Sequence, residues 1–587
     1  VPAAWRAAGR AARPCAARPS AAAAAARCGH ARRYSRVRVL TAQEAGIAEF
    51  LSEGLEGFPA RMKQAPWDFQ VNELAPDGRE VRLTELWRRG DASSMSSSSS
   101  CEEGGGSGEV PPSQEEKSHL HFHLYKEGLD TMEAVARVAR CLGRSRRAFR
   151  FAGTKDRCAV TVQRVSLARL KPDELRRAVL HPEWDERILF SDMVLMPHEL
   201  ELGDLAGNRF SVVLRGLPPA LCGSAQGLRE VGRCFDSLRD RGFLNYFGLQ
   251  RFGSQEIHSF QVGTAILARR FEDAVRLILG DAEPLGRGPE ASAEARDEKE
   301  AAIFAAQRLF KEERDAAGAW QLMPRSQAIE RGLLGSLASG LSAEEALGRL
   351  PRQVLMLYVK AAQSLVFNHV LSRRLRLFGP SPAAGDLVLE GEASGGGSAA
   401  SSEAGRPHRG PKPLPRVGEL AASHAATAGL CEVVLPLPGS AVVYPRRLRE
   451  AYAAASEAAL GLPLEVFHEP LPLGLTLLGA YRPAAVLPAD LHWRLYSAEE
   501  ASRIARAQGG RLLLTDVDRL RGLSPADADV KAQGAENLSA ERALDVGEGG
   551  FGGSAVISCT LPPSAYLTMA LRELTRKDFG AGWRASE

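Results

Sequence analysis

Several motifs that identify common enzyme classes are missing from this sequence. It contains no H-E-x-x-H and no G-x-S-x-G pattern, so zinc proteolysis and serine hydrolysis lose support. The glycine-rich piece 547–553 lacks the Lys and Ser/Thr of a phosphate-binding loop, and nucleotide hydrolysis therefore loses support as well. We interpret that piece as a linker.

Cysteine is scarce and scattered. The nine cysteines are odd in number and none forms a C-x-x-C pair, so neither a zinc knuckle nor a disulfide framework is indicated. No apolar run approaches the roughly 20 residues that a membrane span needs. With 44% hydrophobic and 25% charged residues, the composition favours a soluble, intracellular protein of a reducing compartment.

Positive charge is distributed unevenly along the chain. The net charge is +4, but the first 43 residues contain nine arginines and no lysine or acid, so the rest of the chain is slightly acidic. Any binding of nucleic acid must therefore depend on local basic patches.

The first 42 residues have a composition of their own. They are rich in Ala and Arg and contain no acid, which is typical of a mitochondrial transit peptide. Because the sequence opens on Val1 without an initiator methionine, a translated upstream fragment is an equal alternative. We set the segment aside from fold reasoning and predict that structure begins near Gln43.

The chain of 587 residues is too long for one core and predicts two or more domains. Three low-complexity tracts with little to bury are predicted to be flexible insertions: 92–118, 284–300 and 392–416. The remaining sequence divides into a first mixed part, a helical insertion, a return of β-type sequence and a tail: 43–254, 255–473, 474–577 and 578–587.

One turn surrounds a single carboxylate with basic residues. Between Gly143 and Lys171 there are nine basic residues and one acid, Asp156. Nearby cations favour an ionised carboxylate, and the same cations could hold a phosphodiester backbone. On charge pattern alone, a surface turn whose aspartate neutralises its neighbours is the commoner case.

A strand is predicted at residues 67–74, where apolar and polar residues alternate. If Phe69 and Val71 face inward, Glu73 shares their face. A carboxylate beside an apolar row lies either at a strand end or in a site, and the strand end is the commoner case.

A second predicted strand carries His119, His121 and His123 at alternate positions. They could share a metal-binding face, but no cysteine or carboxylate is spaced to complete a ligand set, so ordinary strand histidines are favoured. A capping box at Asp130–Glu133 then predicts the start of a helix that Gly143 ends.

Residues 243–253 contain four aromatic side chains, an arginine and two amide side chains. Aromatic faces beside amide hydrogen-bonding groups suit an unstacked base. A buried aromatic turn is the commoner explanation.

The sequence becomes helical, alanine-rich and arginine-rich from about residue 254. Within this insertion, residues 354–378 predict one long helix. The run 480–483 is predicted to open the return of β-type sequence. Residues 556–559 and 561–573 are predicted to close it as a strand and then a helix.

Taken in order, these segments resemble the TruD-type pseudouridine synthases in their eukaryotic branch. The resemblance rests mainly on A-G-T-K-D-R at 152–157 with A-V-T-V-Q at 159–163, G-N-R-F at 207–210, N-Y-F-G at 245–248 and Q-R-F-G at 250–253. Further matches are D-F at 68–69 with Glu73, L-Y-K-E at 124–127, D-T-M-E at 130–133, G-D-L-V at 385–388, L-P-L-P-G at 435–439, G-A-Y-R at 479–482 and L-P-P-S at 561–564. Their shared order, from residue 43 to about 577, is far more specific than any single motif.

The resemblance implies an α+β catalytic domain with a mixed, mostly antiparallel sheet, split by an inserted, mainly helical domain. RNA would bind in the cleft between the two. The implied reaction detaches uracil from C1′ of the ribose, rotates it and rejoins it through C5, without cofactor or metal. The implied substrate is tRNA at uridine thirteen, with messenger RNA as a further substrate. We expect a monomer in the nucleus and/or cytoplasm, or in mitochondria if residues 1–42 are a genuine transit peptide.

The resemblance also implies roles for individual residues. Asp156 would be the catalytic aspartate, kept charged by Lys155 and Arg157. It would attack C1′ or remove a ribose proton. A larger set of residues would bind or support the substrate: Glu73, Lys155, Arg157, Asn245, Phe247 and Tyr566.

Some residues depart from the family pattern. Ala565 and Leu567 flank Tyr566 where the family generally has Ser or Thr and Ala, and Cys158 replaces a usual basic residue. The insertion before His119 is short, so the longer element seen there in eukaryotic relatives is missing. These departures bear on substrate choice and affinity. An RNA-binding or chaperone protein with weak or no catalysis is the main alternative function, and an unrelated helical scaffold is a third.

Overall fold

A computed structural model describes residues 40–87, 118–253, 257–280, 298–390, 414–468, 470–523 and 553–578. Most of the three predicted insertions, the linker at 547–552, the tail from 579 and the first 39 residues lie outside the described residues. The interpretations of those segments therefore stay predictions.

The strands are numbered in chain order. They are β1 (Phe69–Leu74), β2 (His119–Glu127), β3 (Phe149–Phe151), β4 (Val160–Ala168), β5 (Ile188–Met196), β6 (Gly207–Leu217), β7 (Phe243–Leu244), β8 (Leu387–Leu389), β9 (Val417–Glu419), β10 (Val433–Leu437), β11 (Ala480–Pro483), β12 (Ala485–Val486), β13 (Ala489–Tyr496) and β14 (Gly553–Leu561).

The α-helices are numbered in the same way. They are α1 (Thr131–Cys141), α2 (Pro172–Ala178), α3 (Pro219–Cys222), α4 (Ala225–Arg241), α5 (Ser259–Leu267), α6 (Phe271–Ile278), α7 (Glu298–Glu313), α8 (Ala316–Leu322), α9 (Ala328–Ala338), α10 (Ala343–Gly348), α11 (Arg352–Phe378), α12 (Ala422–Ala425), α13 (Arg449–Leu460), α14 (Ala498–Ala507), α15 (Asp516–Leu520) and α16 (Leu567–Thr575).

The central sheet has eight strands in the order β13-β14-β6-β1-β4-β2-β5, and β3 also pairs with β4. β1 and β4 run parallel, whereas the other neighbours in this sheet run antiparallel. The predicted mixed, mostly antiparallel sheet is confirmed. Because β1 and β4 are parallel neighbours, the segments that precede them emerge at the same edge of the sheet.

The insertion is built around α11. This helix of 27 residues begins after Pro351 and ends at Gly379, whose φ of 73° favours glycine. Its apolar side chains join the same buried core as β1, β6 and α16. Four strands of the inserted and returning segments form a second sheet in the order β11-β10-β8-β9, so the insertion is mainly helical but carries a sheet of its own.

Two predicted local features occur as expected. Asp130 caps α1, where its Oδ1 accepts a hydrogen bond from the Glu133 amide at 2.7 Å. The long helix predicted at 354–378 corresponds to α11.

Several predicted boundaries differ from the structure. The fold begins before Gln43, because Leu40 and Ala42 are buried in the core. α7 begins at Glu298, inside the tract predicted to be flexible. β11, predicted to open the return, pairs with β10 of the second sheet, and β13 is the strand that rejoins the central sheet. α16 begins at Leu567 rather than 561. Pairing across sheets depends on tertiary packing, which a local pattern does not report.

One described helix, α11, is long and apolar enough to cross a membrane by length and composition. The sequence itself had predicted no membrane-spanning run. However, 67% of its most apolar window is buried against the rest of the protein, which is the pattern of a core helix.

Candidate active site

The loop between β3 and β4 carries Asp156, and the Lys126 side chain of β2 holds its backbone in place. The Lys126 side chain is fully buried. Its Nζ donates to the carbonyl oxygens of Leu129 and Asp156 at 2.7 Å each, and lies 3.4 Å from that of Lys155. An ammonium group supplies three donors, so one side chain fixes the backbone at Asp156.

A second anchor holds the start of the same loop. The Thr131 hydroxyl accepts a hydrogen bond from the Lys155 amide at 2.9 Å and lies 2.9 Å from Gln163 Oε1. Gln163 Nε2 in turn donates to the carbonyl oxygen of Gly153 at 3.0 Å. The loop is therefore tied to α1 and β4 by buried polar groups, which favours one fixed position for Asp156.

The cation at salt-bridge distance from Asp156 is Lys63. Its Nζ lies 3.5 Å from Asp156 Oδ1 and 4.0 Å from the centre of the Phe69 ring. Lys63 precedes β1 and Asp156 precedes β4, so the parallel pair brings them to one edge. The Asp156 side chain keeps 28% of its exposure, which leaves the carboxylate open to a substrate.

Lys155 does not face the Asp156 carboxylate as the sequence analysis expected. Its Nζ lies 3.1 Å from Oε2 of Glu73, and Nε of Arg164 lies 3.0 Å from Oε1 of the same carboxylate. Glu73 is completely buried. It therefore lies between two cations at the next-to-last position of β1. This is the strand-end position favoured from the sequence, and the role of Glu73 in the site stays a prediction.

Arg157 also points away from Asp156. Its side chain is 68% exposed and approaches Glu133 of α1 at 3.9 Å. Lys155 and Arg157 each contact a carboxylate other than Asp156, so the charge pattern of Lys155, Asp156 and Arg157 does not form one cluster. Arg157 remains open to a partner, and its role in RNA binding stays a prediction.

Asn245 is buried beneath the aromatic turn and is engaged by Arg482 of β11. Arg482 Nη2 donates to Asn245 Oδ1 at 2.6 Å, and its Nε donates to the Asn245 carbonyl oxygen at 2.8 Å. The Asn245 amide nitrogen donates to the Pro483 carbonyl oxygen at 3.1 Å. Much of the capacity of this amide is therefore used within the protein.

Phe247 is clamped by α11 of the insertion. Asn368 accepts a hydrogen bond from the Phe247 amide at 2.8 Å and donates to its carbonyl oxygen at 3.0 Å. The Phe247 ring meets Phe367 edge-on at 5.5 Å, and the Arg482 guanidinium lies 4.1 Å above it. The first part of the chain and the insertion thus build the surroundings of Phe247 together.

Tyr566 packs against the aromatic turn. Its ring meets that of Phe247 at 6.3 Å, edge to face. Burial raises the pKa of the Tyr566 hydroxyl, the charges of Arg251 and Arg482 lower it, and the charge of Asp156 raises it further. The structure therefore brings three of the predicted residues, Asn245, Phe247 and Tyr566, into one region through Arg482 and the ring contacts, and Asp156 acts on Tyr566 through its charge.

Several residues of this region have no role in the predictions from the sequence. Lys63 belongs to none of the quoted motifs, Arg482 ends the G-A-Y-R match without an assigned role, and Asn368 is only one residue of the predicted helix at 354–378. Lys126 had a readable signal: it continues the buried row of alternate residues in β2, where a lysine is unusual without partners.

No metal site emerges from the part of the chain that the structure describes, where no group of three or more His, Cys, Asp or Glu is placed to hold an ion. Two of the β2 histidines have protein partners instead. His121 Nε2 lies 2.8 Å from the His198 carbonyl oxygen, and His123 Nδ1 lies 3.1 Å from Asp192 Oδ2.

Comparison with known proteins identifies what this chain is similar to. The family model described as tRNA pseudouridine synthase D (TruD) matches residues 45–503. The chain is 29% identical over 481 residues to the multisubstrate pseudouridine synthase 7 of Schizosaccharomyces pombe, covering 79% of this chain and 63% of that protein. It is 27% identical over 467 residues to the pseudouridylate synthase 7 homolog of Homo sapiens, covering 78% and 59%.

The relatives are longer than this chain, and the solved structure is similar in fold. The chain spans about three fifths of the length of these relatives, 63% and 59%. A solved structure from Methanosarcina mazei, described as a tRNA pseudouridine synthase D, aligns with a TM-score of 0.52 over 91% of this chain and 98% of that chain. At 20% identity, this likeness supports the fold alone.

Proposed function

Because this chain belongs to the TruD family, whose model matches residues 45–503, we propose that it isomerises uridine to pseudouridine in RNA with Asp156 as the catalytic carboxylate. The observation that carries the proposal is the setting of Asp156. The carboxylate is partly exposed on a loop that buried groups hold in place, and Lys63 lies 3.5 Å from it.

The chemistry requires an ionised carboxylate beside the ribose. The C1′–N1 bond breaks, the uracil rotates, and C5 bonds to C1′ as the C5 proton leaves. Asp156 either attacks C1′ or takes a ribose proton, and both roles need the anion. The ammonium of Lys63 stabilises that anion across 3.5 Å.

The uridine must leave its stack before it can reach Asp156. Phe247 and Tyr566 contribute two aromatic rings in edge-to-face contact, and the charge of Asp156 acts on the Tyr566 hydroxyl. We propose that they contact the extruded base, and that Asn245 acts with them through its remaining amide hydrogen. Glu73 supports the site by holding Lys155 and Arg164.

The proposed substrate is tRNA, at uridine thirteen, with messenger RNA as a further substrate. The family description names tRNA, and the yeast relative is described as multisubstrate. The exposed Arg157 beside the loop suits a phosphate contact. We propose that the protein acts as a monomer without cofactor or metal, in the nucleus and/or cytoplasm.

The deciding experiment measures tritium release from C5-labelled uridine in unmodified tRNA. We expect release by the wild type and a loss of roughly 10³-fold or more in Asp156→Ala and Asp156→Asn, with RNA binding retained. Asp77→Ala is the matched control, because it removes a surface carboxylate that pairs only within its own turn with Arg79. A second tRNA with cytidine in place of uridine thirteen tests the position.

Other outcomes would point elsewhere. RNA binding without release by the wild type would favour an RNA-binding or chaperone function. Equal release by the wild type and both Asp156 variants would show that another carboxylate acts on the ribose. Release from the cytidine-substituted tRNA would place the target uridine elsewhere in the molecule.

A further inference from the structure

Two arginines lie beside the aromatic turn and Tyr566: Arg482, which donates to the Ser564 carbonyl oxygen, and Arg251, which belongs to the turn itself. Arg482 is 6% exposed and Arg251 is half-buried. Among the described residues, neither has an acidic side chain at salt-bridge distance. The buried pair of Arg374 and Asp386, by contrast, lies at 2.6 Å. Buried charges are normally paired because desolvation is costly, so among the described residues this region holds two guanidinium groups that no direct carboxylate contact compensates.

The two arginines are committed to the protein to different degrees. Arg482 donates hydrogen bonds to Asn245 and, at 2.9 Å, to the Ser564 carbonyl oxygen. Its guanidinium also stacks on the Phe247 ring. Arg251 makes one long hydrogen bond, from Nε to the Ser364 hydroxyl at 3.4 Å. Its two terminal nitrogens have no hydrogen-bond partner among the described residues and are free to donate.

Burial makes the charged forms of Arg482 and Arg251 less stable, and their pKa values reflect this. Burial lowers the pKa of Arg482 to about 10 and lowers that of Arg251, and the phenol of Tyr566 is the titratable group whose charge opposes both shifts. A neutral phenol does not compensate a guanidinium. An anion entering the pocket would.

The proposed reaction supplies such an anion. When the C1′–N1 bond breaks, its electron pair leaves with the base. The detached uracil carries a negative charge shared among N1, O2 and O4, whether Asp156 has bonded to C1′ or taken a ribose proton. The base loses this charge when C5 bonds to C1′, as the Asp156 carboxylate leaves C1′ or returns its proton to the ribose. The C5 proton then passes to water and N1 takes up a proton.

We propose that Arg251, with Arg482 behind it, forms an anion subsite that stabilises the detached uracil before it rejoins the ribose. This inference rests on the proposed function. Fixed donors aimed at a charge that develops during the reaction lower its barrier without needing to reorganise. Arg251 is the catalytic residue of the subsite, and Arg482 orients Asn245 and Phe247 while adding to the field.

The test compares uridine with 5-fluorouridine at the target position of the same tRNA. Fluorine withdraws electrons, so 5-fluorouracil is a better leaving group and depends less on a stabilising cation. Single-turnover consumption of each nucleoside at saturating protein is followed by nuclease digestion and mass spectrometry. We expect Arg251→Met to slow uridine about 10²-fold and 5-fluorouridine about tenfold or less, with unchanged RNA affinity.

The control variants separate charge from packing. Arg251→Lys keeps the charge and should recover part of the rate. Ser364→Ala removes the side-chain hydrogen bond that Arg251 makes among the described residues but leaves the guanidinium, and should react like the wild type. Thermal melting of each variant confirms folding.

Two results would contradict the anion subsite. An equal deficit with both nucleosides would show that Arg251 only positions the pocket. Weaker, salt-dependent RNA binding with a normal rate at saturation would show a phosphate contact. Either result overturns the subsite, whereas a wild type that consumes neither nucleoside overturns the proposed function itself.

Discussion

Lys63 Nζ lies 3.5 Å from Asp156 Oδ1, and the same ammonium lies 4.0 Å from the centre of the Phe69 ring. The pair joins the segment before β1 to the loop before β4. Lys63 itself has a φ of 55°, a conformation that non-glycine residues rarely adopt. Strain of this kind persists where surrounding contacts determine the backbone. The arrangement makes Lys63 the counter-ion of the proposed catalytic carboxylate.

Replacing Lys63 therefore tests the electrostatics of the site. We expect Lys63→Met to lower the single-turnover rate of pseudouridine formation about 10²-fold, because the carboxylate loses its nearby cation. Lys63→Arg should retain more activity, and the surface variant Lys577→Met should react like the wild type. A wild-type rate in Lys63→Met would show that the ion pair only shapes the loop.

The buried carboxylate of Glu73 gives a prediction about stability. Glu73→Gln leaves the buried Lys155 and the partly buried Arg164 without their shared anion. We expect a loss of about 3 kcal/mol in the free energy of unfolding, measured by urea denaturation. The double variant Glu73→Gln/Lys155→Met should recover part of that loss, because it removes one of the two stranded cations. A double variant less stable than the single one would contradict this account.

These residues show what the sequence could and could not predict. The cap at Asp130, the helix α11 and strand β14 follow from local patterns, because capping and periodicity depend on neighbours within a few positions. The ordered motifs also predicted the sheet type. By contrast, the charge run around Asp156 predicted that Lys155 and Arg157 would lie beside its carboxylate, but they pair with Glu73 and Glu133 instead.

The long-range contacts could not be read from any local pattern. Lys63 reaches Asp156 only because β1 and β4 are parallel neighbours. β11 looked like the return of the central sheet, yet its partner is β10, and strand pairing is decided by tertiary packing. Asn368 in the insertion looked like one polar residue of a helix until the fold placed it against Phe247.

The clamp on Phe247 predicts that the insertion affects catalysis. Asn368→Ala leaves the Phe247 amide and carbonyl without partners, which should cost about 2 kcal/mol in the free energy of unfolding. It should also lower the single-turnover rate, because Phe247 is no longer held in place. Asn368→Asp should be worse, since a carboxylate would face the carbonyl oxygens of Phe247 and Ala45.

A control on the same helix separates stability from activity. Gln363 donates to the Pro438 carbonyl oxygen at 2.6 Å and, among the residues that the structure describes, makes no hydrogen bond to the aromatic turn at 243–253. Gln363→Ala should therefore lower stability while leaving the single-turnover rate near that of the wild type. Equal losses of rate in the Gln363 and Asn368 variants would mean that the helix matters only for folding.

Lys126 gives a prediction about pH, because its ammonium is buried with carbonyl oxygens rather than with a direct carboxylate partner. Burial lowers its pKa from 10.5 to about 8, although the carboxylates of Asp156 and Asp130 oppose the shift while Lys155 adds to it. Between pH 8 and 10.5 the unfolded chain holds a proton that the folded protein has released. The contribution of Lys126 to the free energy of unfolding therefore rises with pH in that window.

The measurement compares urea denaturation of the wild type and Lys126→Met at pH 7 and pH 10. At pH 7 the variant avoids the cost of burying a charge but leaves the carbonyl oxygens of Leu129 and Asp156 without donors. At pH 10 the neutral amine still offers two donors, so the wild type should gain up to about 3 kcal/mol relative to the variant. A difference that stays constant, or that shrinks as pH rises, would mean that Lys126 remains charged in the folded protein because nearby carboxylates outweigh its burial.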